Sequence, residues 1–251
     1  GEHICDFLAE NKISHEYVTV DKEYLTGMQL KAKVEEGDPL VVNFRKNSAF
    51  SHFNPAELEK IDWTGVKHVH VTGISAALSK SCREAAGKLM DMAKAHGIRV
   101  SFDPNLRPAL WPDKNEMVQV LNDLAAKADI VLPGVGEGQT LMGSSDPEKI
   151  ADFYLNQGAK AVVVKVGAKG SFVKTSAGEK FVSPGFKVDK VVDTVGAGDG
   201  FAVGTISALL EGLSLKDAAR RGAAIGALAV MAAGDNEGLP TREKLSVFMD
   251  K

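Results

Sequence analysis

The sequence predicts an α/β fold, a mostly parallel central sheet with helices on both faces and a small antiparallel β flap. Two observations lead there. From Val66 onward, short β-branched runs alternate with amphipathic stretches of helical length across short loops, the pattern of a parallel sheet covered on both sides. Upstream, residues 16–52 have a different texture, with short alternating or β-branched runs. A chain of 251 residues can bury a full core, so residues 1–251 read as a single domain in which 16–52 form a flap over a substrate site.

The chain opens on "GEHICDFLAENKIS", an amphipathic helix pattern with no strand before it, which leads us to expect a further segment ahead of Gly1. Within the flap, "EYVTV", "TGMQLKAKV" and "PLVVNFR" are strand-like, the last two joined by the turn "EEGDP". Then come a strand at 66–73, a helix at 79–97 ended by Gly97, and a strand at 98–105. A helix near 114–127 leads to the strand "DIVLPG", and one near 146–157 leads to "AVVVKVG". Two Ala-rich helices, about 199–211 and 215–233, close the chain; Ser214 and Asp217 resemble a capping box, and Gly212 and Gly234 sit where helices end.

Composition excludes several functions. A net charge of −3, with Arg220-Arg221 as the longest basic cluster, gives no footprint for nucleic acid. No apolar run approaches the roughly 18 residues of a membrane span, so no membrane partner is expected. Cys5 and Cys82 are too few for a disulfide framework and fit ordinary thiols in a reducing compartment, the cytoplasm.

In open parallel sheets ligands bind beyond the carboxyl ends of the strands. The residues following each apolar run are therefore the ones that matter: Asp103, Asn105 and Arg107 after "VSF"; "PGVGEG" with Glu137 after "DIVL"; Lys165 and "GAKG" after "AVVV"; and "DTVGAGD" at 193–199. One glycine-rich turn is usually only a turn. Four on one rim converge on a site. No G-x-x-x-x-G-K-[ST] occurs, and "GVGEG" and "GAGDG" have neither dinucleotide nor protein-kinase spacing. Backbone N–H groups of Gly196, Ala197 and Gly198 at a helix start can hold the charge of a transferring phosphoryl group, with Asp199 beside them to accept a proton from a hydroxyl. The plainer alternative makes Asp199 a helix N-cap. His68 and His70 alternate along one strand and read as half-buried sheet residues rather than metal ligands.

"DTVGAGDGF" resembles the D-T-x-G-A-G-D-x-F signature of the ribokinase-like (PfkB) carbohydrate kinases, and "KVGAKG" at 165–170 resembles their nucleotide-loop motif. "FDPNLRPALWP", "NFRKNSAFSHF" and "GDNEGLPT" look most like the 2-keto-3-deoxygluconate kinases of that family. The resemblance implies a ribokinase-like fold and transfer of a phosphoryl group from ATP, with Mg2+ and room for a monovalent cation, to a sugar acid. It implies Asp199 as the base and Gly196, Ala197 and Gly198 as the anion hole. Lys165, Gly167, Ala168, Lys169 and Gly170 would border the nucleotide, with Asn105 and Arg107 near its phosphates. Glu137 would order Mg2+ through water, and Arg45 and Asp193 would join Asp199 in contacting the sugar acid. A homo-oligomer through the β flap is also expected. Two departures stand out: Gly134 replaces the Asn of the family's N-x-x-E, and the family's sugar-contacting G-G-x-x-x-N segment is absent from these residues. A fructokinase or ribokinase acting on a neutral sugar, and a silent sugar- or nucleotide-binding regulator, remain as alternatives.

Overall fold

A computed structural model of the chain describes residues 1–32, 41–234 and 236–250. Helix α1 (Glu2–Glu10) is followed by β1 (Met28–Lys31) and β2 (Val41–Phe44), which pair antiparallel with Met28 opposite Phe44. The expected turn "EEGDP" lies outside the described residues. "EYVTV" forms no strand. All five of its residues are exposed, so its alternation has no face to bury and, among the described residues, no strand to pair with.

The central sheet begins with β3 (His68–Thr72), which leads through α2 (Gly73–Leu78) and α3 (Lys80–Ala95) to β4 (Arg99–Asp103). After α4 (Lys114–Ala125) come β5 (Ile130–Val131), α5 (Val135–Met142), α6 (Pro147–Asn156) and β6 (Ala161–Lys165). The hairpin β7 (Gly170–Thr175) and β8 (Lys180–Pro184) precedes α7 (Ala197–Leu210), α8 (Leu215–Ala229) and α9 (Arg242–Met249). Strands β3 to β6 are parallel and in sequential order, and β7 and β8 continue the sheet antiparallel, so the sheet is mostly parallel, as expected, with an antiparallel hairpin at one edge. α4 and α6 match the helical periods of 114–127 and 146–157 to within two residues, whereas α2 and α5 form where glycines at their starts read as loop.

Strand alternation divides the core. On β6, Val162 and Val164 face α3, α4 and α6 with Phe102, Met90 and Leu121, while Ala161 and Val163 face α7 and α8 with Phe201, Ala219 and Ala223. Both cysteines are free, Cys82 buried with its thiol against the Phe50 carbonyl. Ser214 caps α8 by accepting the Asp217 N–H at 3.1 Å, although its hydroxyl, not its backbone, meets the Asp217 carboxylate.

The α7–α8 contact tolerates no side chain at two positions. A Cβ on Gly222 would lie 2.5 Å from Thr205 Oγ1 and 2.8 Å from the Phe201 carbonyl, and one on Gly204 would lie 2.8 Å from the Arg221 carbonyl. Gly222→Ala is expected to destabilise the fold by about 1–3 kcal/mol through this overpacking. Urea denaturation checks it as a lower midpoint with an unchanged slope.

Candidate functional site

At the carboxyl ends of β4, β5 and β6 lies a cavity of about 700 Å3. Its walls include Asp103, Asn105, Arg107, Glu137, Lys165 and Asp199, together with Gly196 and Gly198. The flap supplies Gln29, Val41, Asn43 and Arg45. Gln29, Val41 and Asn43 are alternate strand positions and Arg45 directly follows β2 in the same alternation, which was the sequence signal for Gln29 and Asn43 that the motifs alone did not single out.

Asp199 is not a cap. Gly196 holds the N-cap position of α7 with φ +79°, and Asp199 sits in the first helical turn. The left-handed turn thus falls at Gly196, where glycine is required, not at Gly198. Among the described residues, Gly196 and Gly198 have no backbone acceptor for their N–H groups, and Ala197 has only a long bond of 3.4 Å to the Thr194 carbonyl. These donors lie at the positive end of the α7 dipole, next to a carboxylate on the same wall.

The floor is more buried. Asp103 is 2% exposed, with Oδ2 2.6 Å from Lys165 Nζ and Oδ1 accepting the Asn105 N–H at 3.2 Å. Asn105 adopts φ +41° and directs its amide Nδ2 to Asp199 Oδ1 at 3.4 Å. The Asp199 carboxyl is held above the usual carboxylate range, first because the cavity wall displaces its water and next because of the Asp103 charge; Lys165, Arg107 and His70 oppose this. Burial likewise raises Glu137, against the pull of Lys165. Its Oε2 accepts the Gly134 N–H at 2.7 Å and its Oε1 the Leu106 N–H at 3.1 Å. Residue 134 thus meets Glu137 through its backbone, which glycine supplies as well as asparagine would.

Other expected residues are placed differently. Gly167, Ala168 and Lys169 form a short helical turn after β6, exposed and beside the cavity rather than on its wall. Gly170, φ +97°, is buried against the β8 backbone, where a Cβ would lie 2.1 Å from the Ser183 carbonyl; its role is to close the hairpin. Asp193 also lies off the wall. Its carboxylate accepts the N–H groups of Val195 at 3.1 Å and Gly234 at 3.4 Å, which pins the turn ahead of α7. Arg107, by contrast, is on the cavity wall and exposed, with Nη1 donating to the Leu106 carbonyl at 2.8 Å.

His68 and His70 share one hydroxyl partner. The Ser101 hydroxyl lies 2.8 Å from His68 Nε2 and 2.7 Å from His70 Nδ1, and burial lowers His68 to about 4. His68 is half-buried, while His70 is more exposed than its alternation suggested. A larger cavity of about 840 Å3 opens at the other end of the strands, but its carboxylate, Asp129, is tied to Lys160 and the Val100 N–H, each at 2.8 Å. No helix of the described residues is long and apolar enough to cross a membrane.

The chain is similar along most of its length to known proteins. Residues 1–242 match the model of the pfkB family carbohydrate kinases. A 2-dehydro-3-deoxygluconokinase of Bacillus subtilis (strain 168) is 53% identical over 224 residues, which cover 89% of this chain and 69% of that protein. The crystal structure of a PfkB protein from Polaromonas sp. JS666 superposes with a TM-score of 0.87 at 45% identity, covering 98% of this chain and 79% of that one. An E. coli protein described as a ribokinase II, solved with ATP and Mg2+, gives a TM-score of 0.88 at 28% identity, covering 99% and 79%.

Proposed function

Because the chain belongs to the pfkB family of carbohydrate kinases, we propose that it transfers the γ-phosphoryl group of ATP to the primary hydroxyl of 2-keto-3-deoxygluconate. One observation carries the chemistry: the unpaired N–H groups of the α7 turn and the carboxylate of Asp199 share one cavity wall. In this reading Asp199 takes the hydroxyl proton as the sugar oxygen attacks the γ-phosphorus. The bond from that phosphorus to the bridging oxygen breaks, and its electron pair leaves with ADP. The N–H groups of Gly196, Ala197 and Gly198 face the charge spreading over the phosphoryl oxygens. Arg107 and the turn at Gly167–Lys169 border the nucleotide.

The residues suit a Mg2+ ion that enters with the phosphates. Among the described residues no group of three or more His, Cys, Asp or Glu could hold a metal by itself. Each Glu137 oxygen accepts one backbone N–H, which leaves a lone pair on each for a metal-bound water. When bound, the ion neutralises phosphoryl charge. Two free cysteines accord with a cytoplasmic enzyme.

The acid group of the substrate is read by Arg45, on the cavity wall and 3.3 Å from Gln29 Oε1. A guanidinium matches a carboxylate with two parallel bonds, which a neutral hydroxymethyl group cannot do. The outward side of the flap carries Met28, Leu30, Val42 and Phe44, exposed by 53%, 60%, 44% and 50%, and we assign it to contact with a second copy of the chain.

Three measurements test these assignments. Asp199→Asn should leave nucleotide affinity near the parent value and slow transfer by roughly 10²- to 10⁴-fold; turnover at the parent rate would remove the base from the mechanism. Arg45→Ala should raise the KM for 2-keto-3-deoxygluconate by the equivalent of about 1.5–3 kcal/mol while the KM for ATP and activity on neutral ketoses stay put. Equal losses for acid and neutral sugars would mean that Arg45 only supports the flap. Leu30→Glu with Phe44→Glu should shift the sedimenting species to the monomer, and an unchanged mass would exclude the flap as the interface.

A further inference from the structure

Asp103 is a second carboxylate in the cavity, and its surroundings exclude it from accepting the substrate proton. It is 2% exposed, one oxygen is held by the Lys165 ammonium at 2.6 Å, and the other takes the Asn105 N–H at 3.2 Å. A buried ion pair of this kind costs in desolvation about as much as its attraction returns, so fold stability does not account for it. Its position does. Lys165 Nζ lies 3.8 Å from where a Cβ of Gly198 would stand, beside the unpaired N–H groups of the α7 turn. On the other side, Asp103 holds the backbone of Asn105 in a left-handed turn, φ +41°, from which the Asn105 amide reaches Asp199 Oδ1 at 3.4 Å.

We propose that Asp103 is a positioning residue for phosphoryl transfer, holding Lys165 beside the α7 turn with one oxygen and orienting Asn105 toward Asp199 with the other. The proposal rests on the kinase reading above. In it Lys165 becomes a catalytic residue, the cation that meets the transferring phosphoryl group alongside the N–H groups. Lys165 also holds Asp103 at 2.6 Å, away from the substrate hydroxyl, so the two carboxylates divide their tasks by environment.

The arrangement has an electrical consequence. The charged and titratable groups facing Asp199 are Asp103 on β4, Lys165 on β6, Arg107 in the loop after β4 and His70 on β3; Glu137 on α5 acts on Asp103 and Lys165 in turn. Burial raises the Asp199 carboxyl most and the Asp103 charge next, while Lys165 lowers it. Asp199 must be ionised to accept a proton, so the rate falls as pH drops through its titration. Removing the negative charge of Asp103 must therefore move the acidic limb to lower pH, and removing the positive charge of Lys165 must move it to higher pH.

The test compares the pH dependence of kcat/KM for Asp103→Asn, Lys165→Met and the double variant in the intact protein, with nucleotide affinity and thermal unfolding recorded for each. Asp103→Asn should slow transfer by about 10- to 100-fold, the scale of a misplaced catalytic group, and shift the acidic limb downward. Lys165→Met should also slow transfer but shift the limb upward, and the double variant should return the limb toward the parent while transfer stays slow. An Asp103→Asn protein of parent rate, or one that is slow with an unmoved limb, overturns the proposal. If Asp103→Asn fails to fold, an unmoved limb in Lys165→Met does so by itself. A parent protein that transfers no phosphoryl group from ATP to 2-keto-3-deoxygluconate instead overturns the kinase reading, which separates the two failures.

Discussion

The end of α7 is where the site is made, and the position of that end depends on how closely α7 can lie against α8. Gly204 and Gly222 face each other with no space for a Cβ, and Gly200 packs on Ile225. With backbone against backbone, the axis of α7 is set within narrow limits. Its N-terminus consequently falls beside the carboxyl ends of β4 and β6 rather than above the sheet. There the first turn has donors that no part of the helix can satisfy, which is what a helix start always leaves. The same geometry places Asp199 in that first turn, on the cavity wall.

Around that helix end the protein arranges charge by burial. Asp199 meets solvent in the cavity, Glu137 is engaged by two backbone N–H groups, and Asp103 is closed off beneath Lys165. Three carboxylates near one another would repel if all were equally ionised and equally exposed. Lys165 and Arg107 offset that repulsion from one side each. The half-buried ammonium of Lys165 on β6 offsets part of that negative charge from below.

The flap illustrates how a two-stranded sheet can serve two environments. Successive residues point to opposite sides, so the sequence can be polar toward the cavity at Gln29, Asn43 and Arg45 and apolar outward at Met28, Leu30, Val42 and Phe44. An isolated pair of strands is marginal in water. Burying the outward apolar face against another surface would stabilise the flap in the position that closes the site.

Much of this was legible in the amino-acid order. β-Branched runs alternating with helical periods specify a layered α/β core because those periods match the two backbone geometries. The spacing of glycines around Asp199 marked a helix start with free N–H groups because small residues and unpaired donors are local properties. Local pattern failed where a neighbour decides. "EYVTV" alternates like a strand but among the described residues finds no partner, and α2 and α5 are helices although glycines at their starts read as loop, Gly73 of α2 lying against Pro104 and Gly138 of α5 against Ile150 with no space for a side chain. Asp193, Gly170 and Asp103 took their roles from residues between about 13 and 62 positions away along the chain, through the Gly234 N–H, the Ser183 backbone and the Lys165 ammonium. Sequence determines which groups a segment can offer; only the fold decides which of them is buried, which is paired, and which is left free to react.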